Sequence, residues 1–284
     1  MTDPTRPSAE IQRASDGYPI HSLVWSPAGE TLGRVVVVHG VQSHAGWYHN
    51  LGRTLAGLGY ETHFPDRRGS GSNELDRGHA DSPKRLVDDL AERLRALREA
   101  DKTTPVALAG ISWGGKLALL AAADHPELVD AVALICPGLH PRVDVSTADR
   151  LRIAWAFFTD RRKTFPVPLS DPALFTASPE GQRFIANDAL SLRRATAGLL
   201  ATSTFIDRRL RKAPGRVRAP ALLMLAGQDR IVNNQKTLDD FRRLASPQTH
   251  VIEYPEGHHT LEFDPDPGLY AGDLAAWLAG TWGR

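Results

Sequence analysis

Gly110-Ile111-Ser112-Trp113-Gly114-Gly115 decides how this chain is read. The run before it, Val106-Ala107-Leu108-Ala109, is short, apolar and unbroken, as a strand buried on both faces is. The run after it, Lys116-Leu117-Ala118-Leu119-Leu120-Ala121-Ala122-Ala123, is rich in strong helix formers and reads as a buried helix. Gly-x-Ser-x-Gly between a strand and a helix predicts a nucleophile elbow, a turn tight enough to hold the serine in a strained conformation above the sheet edge. Gly110 and Gly114 supply the missing bulk that lets strand and helix approach. The helix N-terminus beneath Ser112 favours developing negative charge. An ordinary strand-to-helix turn has the same local pattern, so the reading depends on what the rest of the chain brings to this turn.

Upstream, Arg34–Val38 is almost wholly β-branched and reads as another doubly buried strand, ending in His39-Gly40-Val41-Gln42-Ser43. A helix is expected over about Trp47–Leu58, stopped by Gly59, then a short strand over Glu61–Pro65. The turn-rich loop Asp66-Arg67-Arg68-Gly69-Ser70-Gly71-Ser72 follows. Ser82-Pro83 opens a helix whose Leu86, Leu90, Leu94 and Leu97 keep one face apolar. Tyr18–Trp25 suits a strand near a sheet edge, behind a polar tail. Downstream, Ala131–Cys136 reads as a buried strand stopped by Pro137-Gly138. Strands and helices thus alternate, which predicts an α/β fold with a mostly parallel central sheet and helices on both faces.

The rhythm breaks between Leu139 and Ala213. No β-branched run occurs there; helical patches near Ala148–Phe158, Pro179–Asp188 and Ser191–Leu210 flank a proline-rich stretch. We expect residues 1–138 and 214–284 to be two parts of one core, and 139–213 to be a helical insertion. That insertion carries 13 Lys+Arg against 7 Asp+Glu, an excess of +6 that solvated helix faces would also explain. From Pro220 the alternation resumes: strand Ala221–Ala226, the turn Gly227-Gln228-Asp229-Arg230, a helix over Asn234–Leu244 and strand Thr249–Tyr254. Pro255-Glu256-Gly257-His258-His259-Thr260-Leu261-Glu262 and a last helix over about Leu269–Leu278 follow.

Composition limits the partners. The chain has 284 residues, 42% hydrophobic and 24% charged, with 34 Lys+Arg against 33 Asp+Glu, so overall charge points to neither nucleic acid nor a membrane surface. A single cysteine, Cys136, precludes an internal disulfide and a cysteine-based metal cluster. No stretch has the length of a membrane span and the N-terminal residues lack an apolar leader, so a cytoplasmic protein is expected. The histidines show no metal-ligand spacing, so neither metal nor cofactor is expected. Oligomeric state is not readable.

A serine hydroxyl needs a base, and the base needs an orienting group. Past an elbow these partners are expected in the order acid, then histidine, each just beyond a strand end. Asp229 and the His258/His259 pair occupy those places. A developing oxyanion requires two backbone N–H donors; the residue after the nucleophile, Trp113, and the loop residue Val41 are placed to give them. His39 fits a structural histidine bonding its loop better than a catalytic base.

Together, His39-Gly40, Asp66-Arg67-Arg68-Gly69-Ser70-Gly71, the elbow, Gly227-Gln228-Asp229 and Gly257-His258-His259 resemble an α/β-hydrolase over nearly the whole chain. Within that superfamily the sequence is most similar to the monoacylglycerol lipase and lysophospholipase group, which shares its fold with serine aminopeptidases. Trp113 stands where that group usually carries methionine; a tryptophan there is similar to the prolyl aminopeptidase branch. The resemblance implies a serine hydrolase of carboxylic esters with Ser112 as nucleophile, His259 as base and Asp229 as orienting acid. His259 is preferred over His258 because Thr260-Leu261-Glu262 matches the family's approach to a following acidic residue. The resemblance also implies that the insertion is a lid, and that the substrate is a small acyl or lipid-like ester. Trp155, Phe157 and Phe158 are candidate substrate-binding residues, with the insertion's own core as the other use for its aromatics. An amidase or aminopeptidase of the same fold, and a ligand-binding protein with little turnover, are the alternatives.

Overall fold

Four consecutive valines, 35–38, are buried on both faces of the sheet, and what covers them fixes the architecture. The structure, a computed structural model, describes residues 3–283. Its strands are β1 (Ser8–Arg13), β2 (Pro19–Trp25), β3 (Gly33–Val38), β4 (Tyr60–Pro65), β5 (Val106–Ile111), β6 (Ala131–Ile135), β7 (Thr164–Pro166), β8 (Arg194–Thr196), β9 (Ala221–Ala226) and β10 (Thr249–Tyr254). Eight of them form one sheet in the order β1-β2-β4-β3-β5-β6-β9-β10, parallel from β4 to β10, with β1 and β2 antiparallel at one edge. β7 and β8 form a separate antiparallel ribbon. The helices are α1 (His49–Gly57), α2 (Pro83–Ala100), α3 (Trp113–Asp124), α4 (Thr147–Thr159), α5 (Pro179–Asn187), α6 (Ala197–Leu210), α7 (Asn234–Phe241) and α8 (Pro267–Trp282).

Strand order reverses at β3. The chain moves from β3 outward to β4 through α1, then returns past β3 to β5 through α2. Right-handed crossovers therefore put α1 and α2 on opposite faces; α8 packs against α1, and α3 against α2. Ligands of such sheets bind beyond the strand C-termini at this reversal. Val38 is in register with Gly110, so the loop after β3 and the elbow after β5 leave the sheet side by side. Ala226 pairs with Tyr254, which brings the loops after β9 and β10 out together.

Local chemistry matches the element ends. Ser82 caps α2 by accepting the Arg85 N–H at 3.2 Å, and Leu86, Leu90, Leu94 and Leu97 are buried beneath that helix. Three segments differ from expectation. β1 replaces the polar tail: its side chains are nearly all exposed and it is held by backbone pairing to β2. Arg194–Thr196 is strand, and α6 begins only at Ala197, because Phe165 and Ala195 pair across the β7–β8 ribbon. β6 ends at Ile135; Cys136 turns to φ 42° and is a buried free thiol. Among the described residues, no helix is long and apolar enough to cross a membrane.

Candidate active site

Ser112 lies at φ 52°, ψ −124°, a region that a side-chain-bearing residue keeps only when its surroundings over-determine it. Its N–H donates to Ile135 O (3.0 Å), and its carbonyl accepts from the N–H of Gly138 (2.8 Å) and Gly115 (2.9 Å). The two motif glycines have different tasks. A Cβ on Gly110 would stand 2.6 Å from Gly115 Cα and 2.7 Å from Ala118 Cβ, so its absence lets α3 fold back over β5. A Cβ on Gly114 would stand 2.6 Å from His39 O and closer still to Val38 O, so its absence lets α3 lie against the end of β3.

Three side chains from three loops meet here. Ser112 Oγ is 2.8 Å from His259 Nε2, and His259 Nδ1 is 2.7 Å from Asp229 Oδ2. The other Asp229 oxygen accepts the N–H groups of Ile231 (2.8 Å) and Val232 (2.9 Å). With a carboxylate facing it, Nδ1 is the donor, which leaves Nε2 to accept from the serine hydroxyl. Burial works against the Asp229 charge, but His259 and the two backbone donors outweigh it and hold the carboxyl below its ordinary value. The Phe175 ring lies edge-on to His259 with centroids 6.1 Å apart, and Phe175 O accepts the Thr260 N–H at 2.9 Å. His258 turns the other way: its N–H reaches the Asp264 carboxylate at 3.2 Å and its Nδ1 lies 3.4 Å from the same group.

Val41 and Trp113 line the same cavity as Ser112. Trp113 is the first residue of α3, where amides have no intrahelical acceptor, and neither its N–H nor that of Val41 is paired among the described residues. The loop carrying Val41 is braced from behind. His39 Nδ1 donates to Gly40 O (2.7 Å), and its Nε2 accepts the Arg67 N–H (2.8 Å). Burial, aided by the Arg67 charge, pushes the His39 pKa well below its ordinary value, which suits a ring nitrogen that must accept. His39 therefore builds the loop.

The cavity has a volume of about 790 Å³ and a lining of mixed polarity. Val143, Val145, Ile153, Phe157, Val167 and Leu169, with Leu199, Leu200 and Phe205 of α6, make most of it apolar; Lys116, Ser203, Asp207, Arg208 and Arg211, with Asp144 and Arg150, add polar groups. Phe158 lines the mouth and is 84% exposed, whereas Trp155, 72% exposed on α4, is not among the lining residues. Sequence reasoning missed the polar lining residues of α3 and α6. Lys116 is only 4% exposed, and its Nζ meets Asp207 Oδ1 at 2.6 Å; one lysine inside a helix otherwise apolar up to its last residue, Asp124, was the available signal. Trp113 Nε1 donates to Ser203 Oγ at 2.9 Å, one turn of α6 before Asp207. Among the described residues, no group of three or more His, Cys, Asp or Glu is arranged to hold a metal ion.

Known proteins share this arrangement of elements. A family model described as serine aminopeptidase, S33, matches residues 29–266. A monoacylglycerol lipase from Mycolicibacterium smegmatis is 25% identical over 90% of this chain and 91% of its own length. Human monoglyceride lipase is 31% identical over 43% of this chain and 41% of its own. Among solved structures, a soluble variant of monoglyceride lipase from Saccharomyces cerevisiae in complex with a substrate analog superposes with a TM-score of 0.86, at 19% identity, over 99% of this chain and 97% of that one. The monoacylglycerol lipase of Paleococcus ferrophilus gives 0.82, at 23% identity, over 92% and 99%. With the elbow, the strand order and this match in agreement, the chain belongs to the serine aminopeptidase (S33) family and has the α/β-hydrolase fold.

Proposed function

We propose that the protein hydrolyses carboxylic esters of monoacyl, lipid-like substrates through a Ser112–His259–Asp229 triad and an acyl-enzyme. The observation that carries this reading is the unbroken chain Asp229 Oδ2–His259–Ser112 Oγ at 2.7 Å and 2.8 Å, opening on a mostly apolar cavity. Ser112 Oγ attacks the acyl carbonyl while His259 Nε2 takes its proton and Asp229 stays ionised beside the imidazolium. The N–H groups of Val41 and Trp113 receive the oxyanion. Collapse of the adduct releases the alcohol, protonated by His259. Water, deprotonated by the same nitrogen, then attacks the acyl-serine and frees the carboxylic acid.

The lining suggests how the substrate lies. The acyl chain follows the apolar residues, and the alcohol portion faces Ser203 and the Lys116–Asp207 pair. Residues 139–213 act as a lid, since they supply α4, α6 and the 167–169 segment to the cavity. The family description favours an aminopeptidase as the second reading. Such an enzyme needs a carboxylate to hold the substrate ammonium, and both acids lining this cavity are already paired, Asp144 with Arg150 and Asp207 with Lys116. An ester panel of graded acyl length, run beside aminoacyl anilides and fluorophosphonate labelling, tests the proposal. Labelling lost in Ser112→Ala and esters preferred over anilides are expected; anilide preference would install the second reading. Tight binding of an ester without turnover would instead mark a ligand-binding protein.

A further inference from the structure

Two adjacent arginines follow β4 and have opposite surroundings. Arg68 is an ordinary structural cation, paired with Asp89 at 2.9 Å and with Asp16 at 3.0 Å, over the Tyr18 ring. Arg67 is buried and forms no ion pair among the described residues. The oxygens of neighbouring Asp66 are taken by the N–H groups of Ala45 (2.8 Å) and Ser72 (2.7 Å). Arg67 Nε has no hydrogen-bond partner among the described residues. A buried guanidinium without a carboxylate is costly to keep, so what it touches is informative. Its Nη2 donates to Val41 O at 2.9 Å, and its Cζ lies 5.0 Å from the centroid of the Trp113 indole. These are the two residues whose amides face the cavity beside Ser112.

We infer that Arg67 is a positioning residue for ester hydrolysis, holding the Val41 and Trp113 backbone donors in register and placing a positive charge behind the developing oxyanion, with the Asp66 carboxylate near it but not bonded to it. The inference rests on the hydrolase reading above. Arg67 is absent from the cavity lining and so works from behind the two donors rather than on the substrate. Its main-chain N–H, given to His39 Nε2 at 2.8 Å, fixes the residue at the loop end. Its side chain then spans from the loop after β3 to the first turn of α3. At a buried position such a charge acts on the transition state more than on the neutral ester. Burial lowers the Arg67 pKa to about 10, which still leaves it charged at neutral pH.

The test uses Arg67→Met, Trp113→Met and the double variant on the full chain, with an activated short-chain ester, an arylboronic acid as oxyanion mimic and a non-hydrolysable ether analogue of the ester. Arg67→Met should lower kcat/KM by roughly ten- to a hundredfold with KM nearly unchanged, less than outright loss of an oxyanion donor costs. Boronate affinity should fall in proportion while ether affinity stays at the wild-type level. The loss in the double variant should fall short of the sum of the two single losses, because the Arg67–Trp113 contact is removed in each, although Trp113→Met also breaks the bond to Ser203. Wild-type kcat/KM in Arg67→Met, equal losses for boronate and ether, or additive losses in the double variant would each overturn the inference. If Arg67→Met does not fold, Arg67→Gln, which keeps a side-chain N–H but not the charge, takes its place under the same criteria. A wild-type protein that fluorophosphonate fails to label at Ser112 would overturn the hydrolase reading itself.

Discussion

Replacing Asp229 with asparagine isolates the orienting role in the proposed triad. Asp229 Oδ1 accepts two backbone N–H groups, from Ile231 at 2.8 Å and Val232 at 2.9 Å. In Asp229→Asn the amide oxygen must occupy that place, since an NH₂ there would face two donors. The NH₂ then points at His259 Nδ1 across the 2.7 Å contact. A donor facing Nδ1 makes that nitrogen the acceptor and moves the ring proton to Nε2, 2.8 Å from Ser112 Oγ. The imidazole can then give a hydrogen bond to the serine but cannot take its proton. Loss of the base with the oxyanion donors intact corresponds to a fall in kcat of about 10⁴, or about 5 kcal/mol of barrier. The fold should survive, because both backbone donors stay satisfied. The linkage has a definite sign. A carboxyl held below its ordinary 3.8 contributes stability above that pH and loses it as pH falls through the lower folded value. The melting temperatures of wild type and Asp229→Asn should therefore differ by a constant amount from pH 6 to 8 and converge only in acid. Steady-state hydrolysis of one activated ester, with thermal melts across pH, makes the measurement. An Asp229→Asn variant within tenfold of wild type would refute this account of how the imidazole is oriented.

The adjacent histidines separate under the same assay: His259→Ala should lose several orders of magnitude and His258→Ala about tenfold or less, and the reverse order would move the base to His258. Replacing Phe157 and Phe158 with alanine should change acyl-length preference in an ester panel more than it changes melting temperature; unchanged preference with a large drop in melting temperature would make them structural. Glu262 is buried against the N–H groups of Asn50 and Leu51 and the Tyr270 hydroxyl, and burial, the dominant influence, raises its carboxyl from 4.5 to about 7. A raised folded value means stability is lost as pH climbs between those limits, so the wild-type melting temperature should fall over that window while that of Glu262→Gln stays flat; parallel curves would show that Glu262 is not the titrating group.

What could be read from the residues followed from how local the cause was. Buried strands of the parallel sheet announce themselves through composition, as β9 does, and both β9 and the exposed edge strand β10 were located to the residue, from Ala221–Ala226 and Thr249–Tyr254. β1 was missed because Ser-Ala-Glu-Ile-Gln-Arg buries almost nothing; only its pairing with β2 makes it a strand. The β7–β8 ribbon was missed for a similar reason, three residues on each side being too short for a period to show. Ser112, Asp229 and His259 were legible because each follows a strand end in a motif, and the structure brings all three together. Arg67 and Lys116 were not, since their significance lies in partners far along the chain: Trp113 for one, Asp207 for the other. Trp155 was chosen for its aromatic character, but its side of α4 faces away from the cavity.

The two bonds from the first turn of α3 to α6, Trp113 to Ser203 and Lys116 to Asp207, clamp the insertion to the nucleophile's own helix. Val143, Val145, Ile153, Phe157, Val167 and Leu169 all fall outside that clamp, within residues 141–169. Exchanging that stretch alone would replace much of the apolar lining while leaving Ser203 and Asp207 in their register with Ser112. If the acyl chain lies along it as proposed, a chimaera made at those positions would take the donor's chain-length preference more than its head-group preference.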